Sequence, residues 1–189
     1  MGRALLAAAA GVVAAAAPAH AIAQTPDEPA SFGDAFEAVA SAATELEIEP
    51  ASWFPVRGVV DFGAADARFG AWRGGHRHEG QDVFADAGTP IASVRAGRVV
   101  ERGDDGGRGN YVAIWAPEAD RTFVYLHMRA PTPYGVGDRV DAGARVGGVG
   151  CTGSCWGDHL HLEMRAGRGT TGRPLDPLPL LRRLARRAR

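Results

Sequence analysis

Apolar positions along this chain follow three kinds of pattern, and each predicts a different kind of element. Residues Ala4 to Ala17 form an Ala/Leu/Val-rich run behind Met1, Gly2 and Arg3, followed by Ala19-His20-Ala21. A positive start, a short apolar stretch and an A-x-A site predict a secretory signal peptide over 1–21, cleaved after Ala21. The run is shorter than the roughly 20 residues a membrane helix needs, and no later stretch is apolar enough to span. The expected mature protein is exported, to the periplasm or the cell exterior, with no stable membrane span. Over 32–47 the spacing becomes helical: Phe32, Phe36, Val39, Ala43 and Leu46 share a face, and Ser31 with Asp34 can cap the start. Pro50 ends that stretch, so 22–50 reads as an acidic linker carrying a short amphipathic helix.

From Trp53 onward the pattern shortens to β-rich runs: Ile91–Val94, Gly97–Glu101, Tyr111–Trp115, Thr122–His127, Arg145–Val149 and His159–Met164. Turn signals such as Gly88-Thr89-Pro90 and Asp104-Asp105-Gly106-Gly107 separate them. Many short strands with little helix predict an all-β domain over 51–189, with a core of about 53–177. The strands are expected to be mainly antiparallel, in a small barrel-like or sandwich arrangement. Val136–Val140 and Ala142–Gly147 read as tight turns between strands, and Pro174 and Pro177 close the domain. Leu178–Arg189 reads as a basic terminal helix with Leu180, Leu181 and Leu184 packing back.

The length, 189 residues, suits one domain with appendages. All 21 basic residues are Arg, and none of them lies in 24–50, which holds seven acids. The 51–189 segment therefore carries a net charge of +5, a balance that favours a polyanionic surface. Five of its arginines lie in the last eight residues, so part of that excess is a solvated tail. No motif or aromatic interleaving supports nucleic-acid binding. The two cysteines, Cys151 and Cys155, read as a disulfide in an exported protein, since three intervening residues can fold back into bridging range. The rival is a structural zinc on Cys151, Cys155, His159 and His161, but paired finger histidines usually stand three to five residues apart.

The candidate chemistry lies in five residues: His78, Asp82, His127, His159 and His161. On a strand, His159 and His161 point to the same face because side chains alternate. Two imidazoles side by side on an otherwise apolar strand are costly to bury unless something binds them. Imidazoles plus one carboxylate form the ligand set of a catalytic Zn²⁺. His78 and Asp82 share parity, and Gly80 between them permits close backbone approach. Glu163 has the parity of His161 and is expected to orient an imidazole from behind. Trp72, Tyr134 and Trp156 are candidates for an aromatic rim.

The blocks Phe54-Pro55-Val56-x-Gly58, Phe69-Gly70, His78-Glu79-Gly80-Gln81-Asp82-Val83, Gly88-Thr89-Pro90-Ile91, Gly109-Asn110-Tyr111-Val112, Tyr125-Leu126-His127-Met128 and His159-Leu160-His161-Leu162-Glu163 occur in that order. Together they resemble the M23 peptidase family, the lysostaphin and LytM type of zinc endopeptidase acting on bacterial cell walls. The resemblance implies a LytM-type fold and one Zn²⁺ per chain, ligated by His78, Asp82 and His161 with a fourth position for water. It implies that His127 and His159 flank that position as catalytic groups, without choosing which takes the proton from water. The implied substrates are peptides of peptidoglycan, in stem or cross-bridge. Two departures stand out. Gln81 replaces the usual aliphatic residue and is expected to affect packing and not the metal. Asp158 replaces a small residue or Pro and is expected to raise an imidazole's pKa. Non-enzymatic regulators of cell-wall amidases share this type of domain but typically lack zinc ligands that this chain retains.

Overall fold

The computed structural model describes residues 51–58 and 61–188. The expected signal peptide and the helix over 32–47 lie outside the described residues. Among the described residues nine strands and one α-helix follow in chain order: β1 (Gly80–Phe84), β2 (Pro90–Ala92), β3 (Gly97–Asp105), β4 (Gly109–Ala116), β5 (Arg121–Met128), β6 (Arg139–Val140), β7 (Arg145–Gly148), β8 (His159–Ala166), β9 (Pro174–Leu175) and α1 (Leu178–Arg187).

Seven strands form one antiparallel sheet in the order β1-β8-β5-β4-β3-β6, and β9 extends the β1 edge of β8. Strands β2 and β7 pair as a separate ribbon. The larger sheet stays open: β6 is two residues long at one edge and does not meet β1 at the other. The fold is thus the expected antiparallel one, without closure into a barrel.

Alternation sorts the sheet's side chains into two faces. One face carries Val83, Val99, Val112, Ile114, Phe123, Tyr125, Leu160 and Leu162, all at most 1% exposed. They pack with Ile91 and Val146 of the ribbon, with Phe54 and Val56, and with Leu181 and Leu184 of α1. The buried leucines of α1 recur at helical spacing, which leaves Arg182, Arg186 and Arg187 in water. At full burial the Tyr125 hydroxyl accepts the Val94 amide hydrogen bond (2.8 Å), and desolvation pushes its pKa up to about 12. The opposite face carries the polar side chains of β1 and β8 beside a second apolar cluster, Tyr111, Ala113, Val124 and Leu126. Among the described residues no helix is long and apolar enough to cross a membrane.

Candidate active site

The β1–β8 register places Asp82 opposite His161 and Phe84 opposite His159. Neighbouring β5 sets Leu126 opposite His161 from the other side. His78 precedes β1 and ends a short hairpin in which Gly70 N–H bonds to the His78 carbonyl (2.8 Å) and His78 N–H to that of Ala71 (2.8 Å). Gly80 is the point of closest approach: a Cβ there would lie 2.6 Å from His161 Nε2 and from the Leu162 carbonyl.

Three atoms converge from these elements. His78 Nε2 lies 2.9 Å from His161 Nδ1, and Asp82 Oδ1 lies 3.1 Å from the first and 3.0 Å from the second. Hydrogen bonds at the far side of each ring set the tautomers. His78 Nδ1–H donates to the Arg68 carbonyl (2.9 Å), which leaves Nε2 as a lone pair. His161 Nε2–H points to Glu163 Oε1 (3.4 Å), which leaves Nδ1 as a lone pair. Three inward acceptors around one point repel one another unless a cation lies among them. A tetrahedral cation with bonds near 2.0–2.1 Å would separate its ligands by about 3.3–3.4 Å, close to the spacing found. The donor set therefore fits zinc.

Each converging group is braced from outside. Arg73 donates to Asp82 Oδ2 (2.5 Å), occupying the oxygen that does not face the imidazoles. Arg165 grips Glu163 through Nε and Nη2 (2.8 and 2.6 Å) and reaches Glu79 Oε2 (2.6 Å). Burial would raise the Asp82 pKa, but hydrogen bonds and charge from His161 and His78 hold the carboxyl far below the ordinary range. Burial disfavours a charged His161, yet Asp82 and Glu163 outweigh it and raise its pKa. Glu163 is lowered: His161 and Arg165 override its desolvation.

The other two candidate histidines, His159 and His127, stand beside this triad. His159 Nδ1–H donates to the Gly157 carbonyl (2.8 Å), and its Nε2 lies 3.6 Å from Asp82 Oδ1. His127 Nδ1–H donates to the Thr152 carbonyl (2.9 Å), and its ring centroid lies 5.0 Å from that of His159 and 5.7 Å from that of His161. Strict alternation along β5 would send His127 into the core with Tyr125. Pairing shifts instead from Val112–Tyr125 to Asn110–Met128, which gives β5 one surplus residue. That bulge, with His127 at φ 60°, re-aims the imidazole to the polar face. Burial lowers the His127 pKa to about 4, with His161 and His159 adding repulsion against the Thr152 bond that favours the charged ring. Burial likewise lowers His159. The exposed Asp158 is not among the causes of that shift, so the expected rise is not found at His159; the imidazole that is raised, His161, owes it to Asp82 and Glu163.

A cavity of about 450 Å³ opens over Asp82 and His159 between Trp72 and Trp156, which are 66% and 92% exposed. Tyr134 is not part of its lining and packs against the core. Cys151 and Cys155 are joined in a disulfide with Cα atoms 5.3 Å apart, so the alternative four-ligand zinc group with His159 and His161 is not formed. Gln81 is fully buried on the core face, its amide donating to the Phe62 and Asp82 carbonyls (3.1 and 2.7 Å). Sequence reading did not reach Arg73, Glu79 or Arg165. Arg165 shares the parity of His161 and Glu163, a signal that was present; Arg73 is brought in by the hairpin and carried none.

Comparison with known proteins bears on this geometry. A model described as Peptidase family M23 matches residues 76–177. Over 109 residues the chain is 32% identical to the glycyl-glycine endopeptidase ALE-1 of Staphylococcus capitis, covering 57% of this chain and 30% of that one. It is 30% identical over 163 residues to the cell division protein DipM of Caulobacter vibrioides, covering 82% of this chain and 26% of that one. The catalytic domain of lysostaphin from Staphylococcus simulans has a similar structure, with a TM-score of 0.56 and 29% identity over 61% of this chain and 89% of that one. The aligned region thus spans less than a third of these curated relatives and most of an isolated catalytic domain. With more than half of its length matched by that family's model, the chain belongs to peptidase family M23.

Proposed function

We propose that this protein is an exported zinc-dependent endopeptidase that hydrolyses peptide bonds in the stem or cross-bridge peptides of bacterial peptidoglycan. The observation that carries the reading is the convergence of His78 Nε2, His161 Nδ1 and Asp82 Oδ1 within 3.1 Å of one another, beside two further buried imidazoles. These three atoms would hold one Zn²⁺. When bound, the ion supplies Lewis acidity, which polarises the scissile carbonyl and makes water a nucleophile at neutral pH.

The remaining chemistry belongs to the chain. His127 and His159 both have lowered pKa values, so both rings are neutral near pH 7 and either can accept a proton. One imidazole takes the proton from the attacking water. Now carrying Nε2–H, that ring can hydrogen-bond the oxyanion and pass the proton to the departing amine, while the other, its Nε2 a lone pair, holds the water by accepting its second hydrogen. Glu163 holds the tautomer of His161, and Arg73 keeps Asp82 turned with one oxygen inward. The relative named as a glycyl-glycine endopeptidase supports cleavage of a peptide bond, and a further relative, from Vibrio cholerae and named as a peptidoglycan DD-endopeptidase, supports a cell-wall substrate.

Purified protein incubated with peptidoglycan sacculi tests this. Soluble fragments should appear, stop with a chelator and return with Zn²⁺. Undiminished release by His161→Ala would refute the assignment. A second reading, a non-enzymatic regulator of a cell-wall amidase or a peptidoglycan-binding module, is compatible with a match over 82% of the chain to a relative named as a cell division protein and not as a peptidase. The complete histidine and aspartate set weighs against it. Protein that takes up no zinc and turns over no sacculi would favour it.

A further inference from the structure

The two candidate catalytic histidines, His127 and His159, hang from one loop. The carbonyl that fixes His127 belongs to Thr152, and the carbonyl that fixes His159 belongs to Gly157. Thr152 lies inside the ring closed by Cys151–Cys155, and Gly157 lies two residues beyond it. The bridge reaches that second anchor as well, because the Gly157 amide points to the Cys151 sulphur at 3.2 Å.

The loop has little else to hold its shape. Cys151, Gly153, Ser154, Trp156 and Gly157 are all exposed, so apolar burial contributes almost nothing. Its fastenings are polar. Thr152 Oγ1 accepts from the Asn110 amide (2.9 Å) and donates to the Met128 carbonyl (2.8 Å), while the Ser154 amide donates to the Gly107 carbonyl (3.0 Å). The fit against β4 is close enough that a Cβ at Gly109 would collide with Thr152. The triad uses none of this. His78, Asp82 and His161 are braced by the Arg68 carbonyl, Arg73 and Glu163.

We infer that the Cys151–Cys155 loop is a positioning element for the hydrolytic step alone: it fixes His127 and His159 together in the Nδ1–H tautomer, leaving both Nε2 atoms as lone pairs beside the triad, and plays no part in holding the metal. This deepens the peptidase reading and rests on it. Opening the ring frees both carbonyls. Each imidazole then samples the other tautomer and other rotations, and proton transfer fails while zinc stays bound.

The test compares the zinc-loaded full chain with the Cys151→Ala/Cys155→Ala variant. Long-range proton–nitrogen NMR spectra of ¹⁵N-histidine-labelled protein should show Nδ1–H at His127 and His159 in the parent, and mixed tautomers at both in the variant. Zinc affinity, from competition with a chromophoric chelator, should stay within about threefold, below the loss typical of a disturbed ligand brace. On a soluble cross-linked muropeptide, kcat should fall by about 10- to 100-fold with KM nearly unchanged. Should the double variant not fold, Thr152→Val removes the Oγ1 fastening alone and should affect His127 but not His159. Unchanged tautomers with unchanged kcat, or zinc affinity falling in step with kcat, would overturn the inference. If the parent cleaves no peptidoglycan, the peptidase reading fails, and the tautomers still decide whether the loop holds the two rings.

Discussion

Asp82 and His161 are direct partners in the β1–β8 ladder, and Asp82 Oδ1 lies 3.0 Å from His161 Nδ1. Two members of the triad are thus set by strand register and not by a loop. A slip of one residue would turn one of them into the core.

That dependence makes Gly80 the most sensitive position in β1. Gly80→Ala places a methyl group 2.6 Å from His161 Nε2 and the Leu162 carbonyl, so the ring must move off its line to Asp82. Zinc affinity should fall by about 100-fold. Chelator competition measures it, and unaltered affinity would show that the ring has room the structure does not give it.

Arg165 and Glu79 form one ion pair, yet they should behave differently. Arg165 also grips Glu163 behind His161, whereas the Glu79 side chain is 50% exposed. Arg165→Gln should weaken zinc binding by about 10-fold or more, because Glu163 loses its partner and no longer fixes the His161 tautomer. Glu79→Gln should change stability by no more than about 1 kcal/mol and leave zinc binding intact. Metal titrations and melting curves of the two variants should separate along that line.

Acid and base should act oppositely on the zinc-free and zinc-loaded forms. Without metal, the raised pKa of His161 means that its pairing with Asp82 and Glu163 stabilises the fold fully below the unfolded value of 6.5. That contribution is lost as pH rises through the higher folded value. Zinc binding needs both triad imidazoles neutral, so it strengthens over the same rise. Denaturant titrations between pH 5 and pH 9 should show the stability gained from zinc growing with pH; a flat difference would refute it. In the zinc-free protein the NMR titration midpoint of His161 should lie above 6.5, and that of His127 near 4.

The 92% exposed indole of Trp156 makes few contacts within the fold, yet it borders the cavity over Asp82 and His159. Trp156→Ala should leave the melting temperature unchanged and raise KM by about 3- to 10-fold, the range of one lost aromatic contact. A fall in kcat alone would place the ring outside the binding surface.

How much of this was legible in the sequence depended on whether a residue obeys simple alternation. β8 does: period two along His159–Met164 told which side chains share the face of His161, including Glu163. β1 is not among the predicted strands, because Gly80 and Asp82 have low strand propensity. Pairing with β8 along its whole length overrides that preference. Tyr134 looked like a rim residue beside Trp72 and Trp156, but an isolated aromatic carries no label for core or surface, and this one packs inward. The open sheet follows from the shortness of β6, two residues that give no periodic signal.

His127 is the instructive exception. Counting along β5 points its ring the wrong way, and a single surplus residue corrects it. Deleting Leu126 would let the hydrogen-bond ladder to β4 run without interruption, and would move the imidazole into the place that Leu126 now holds, away from the positive-φ turn that sets it beside the Thr152 carbonyl. Such a shortened chain would gain regularity and lose half of its proton-handling machinery. In this strand, sheet integrity and chemical competence are separable by the length of the polypeptide alone.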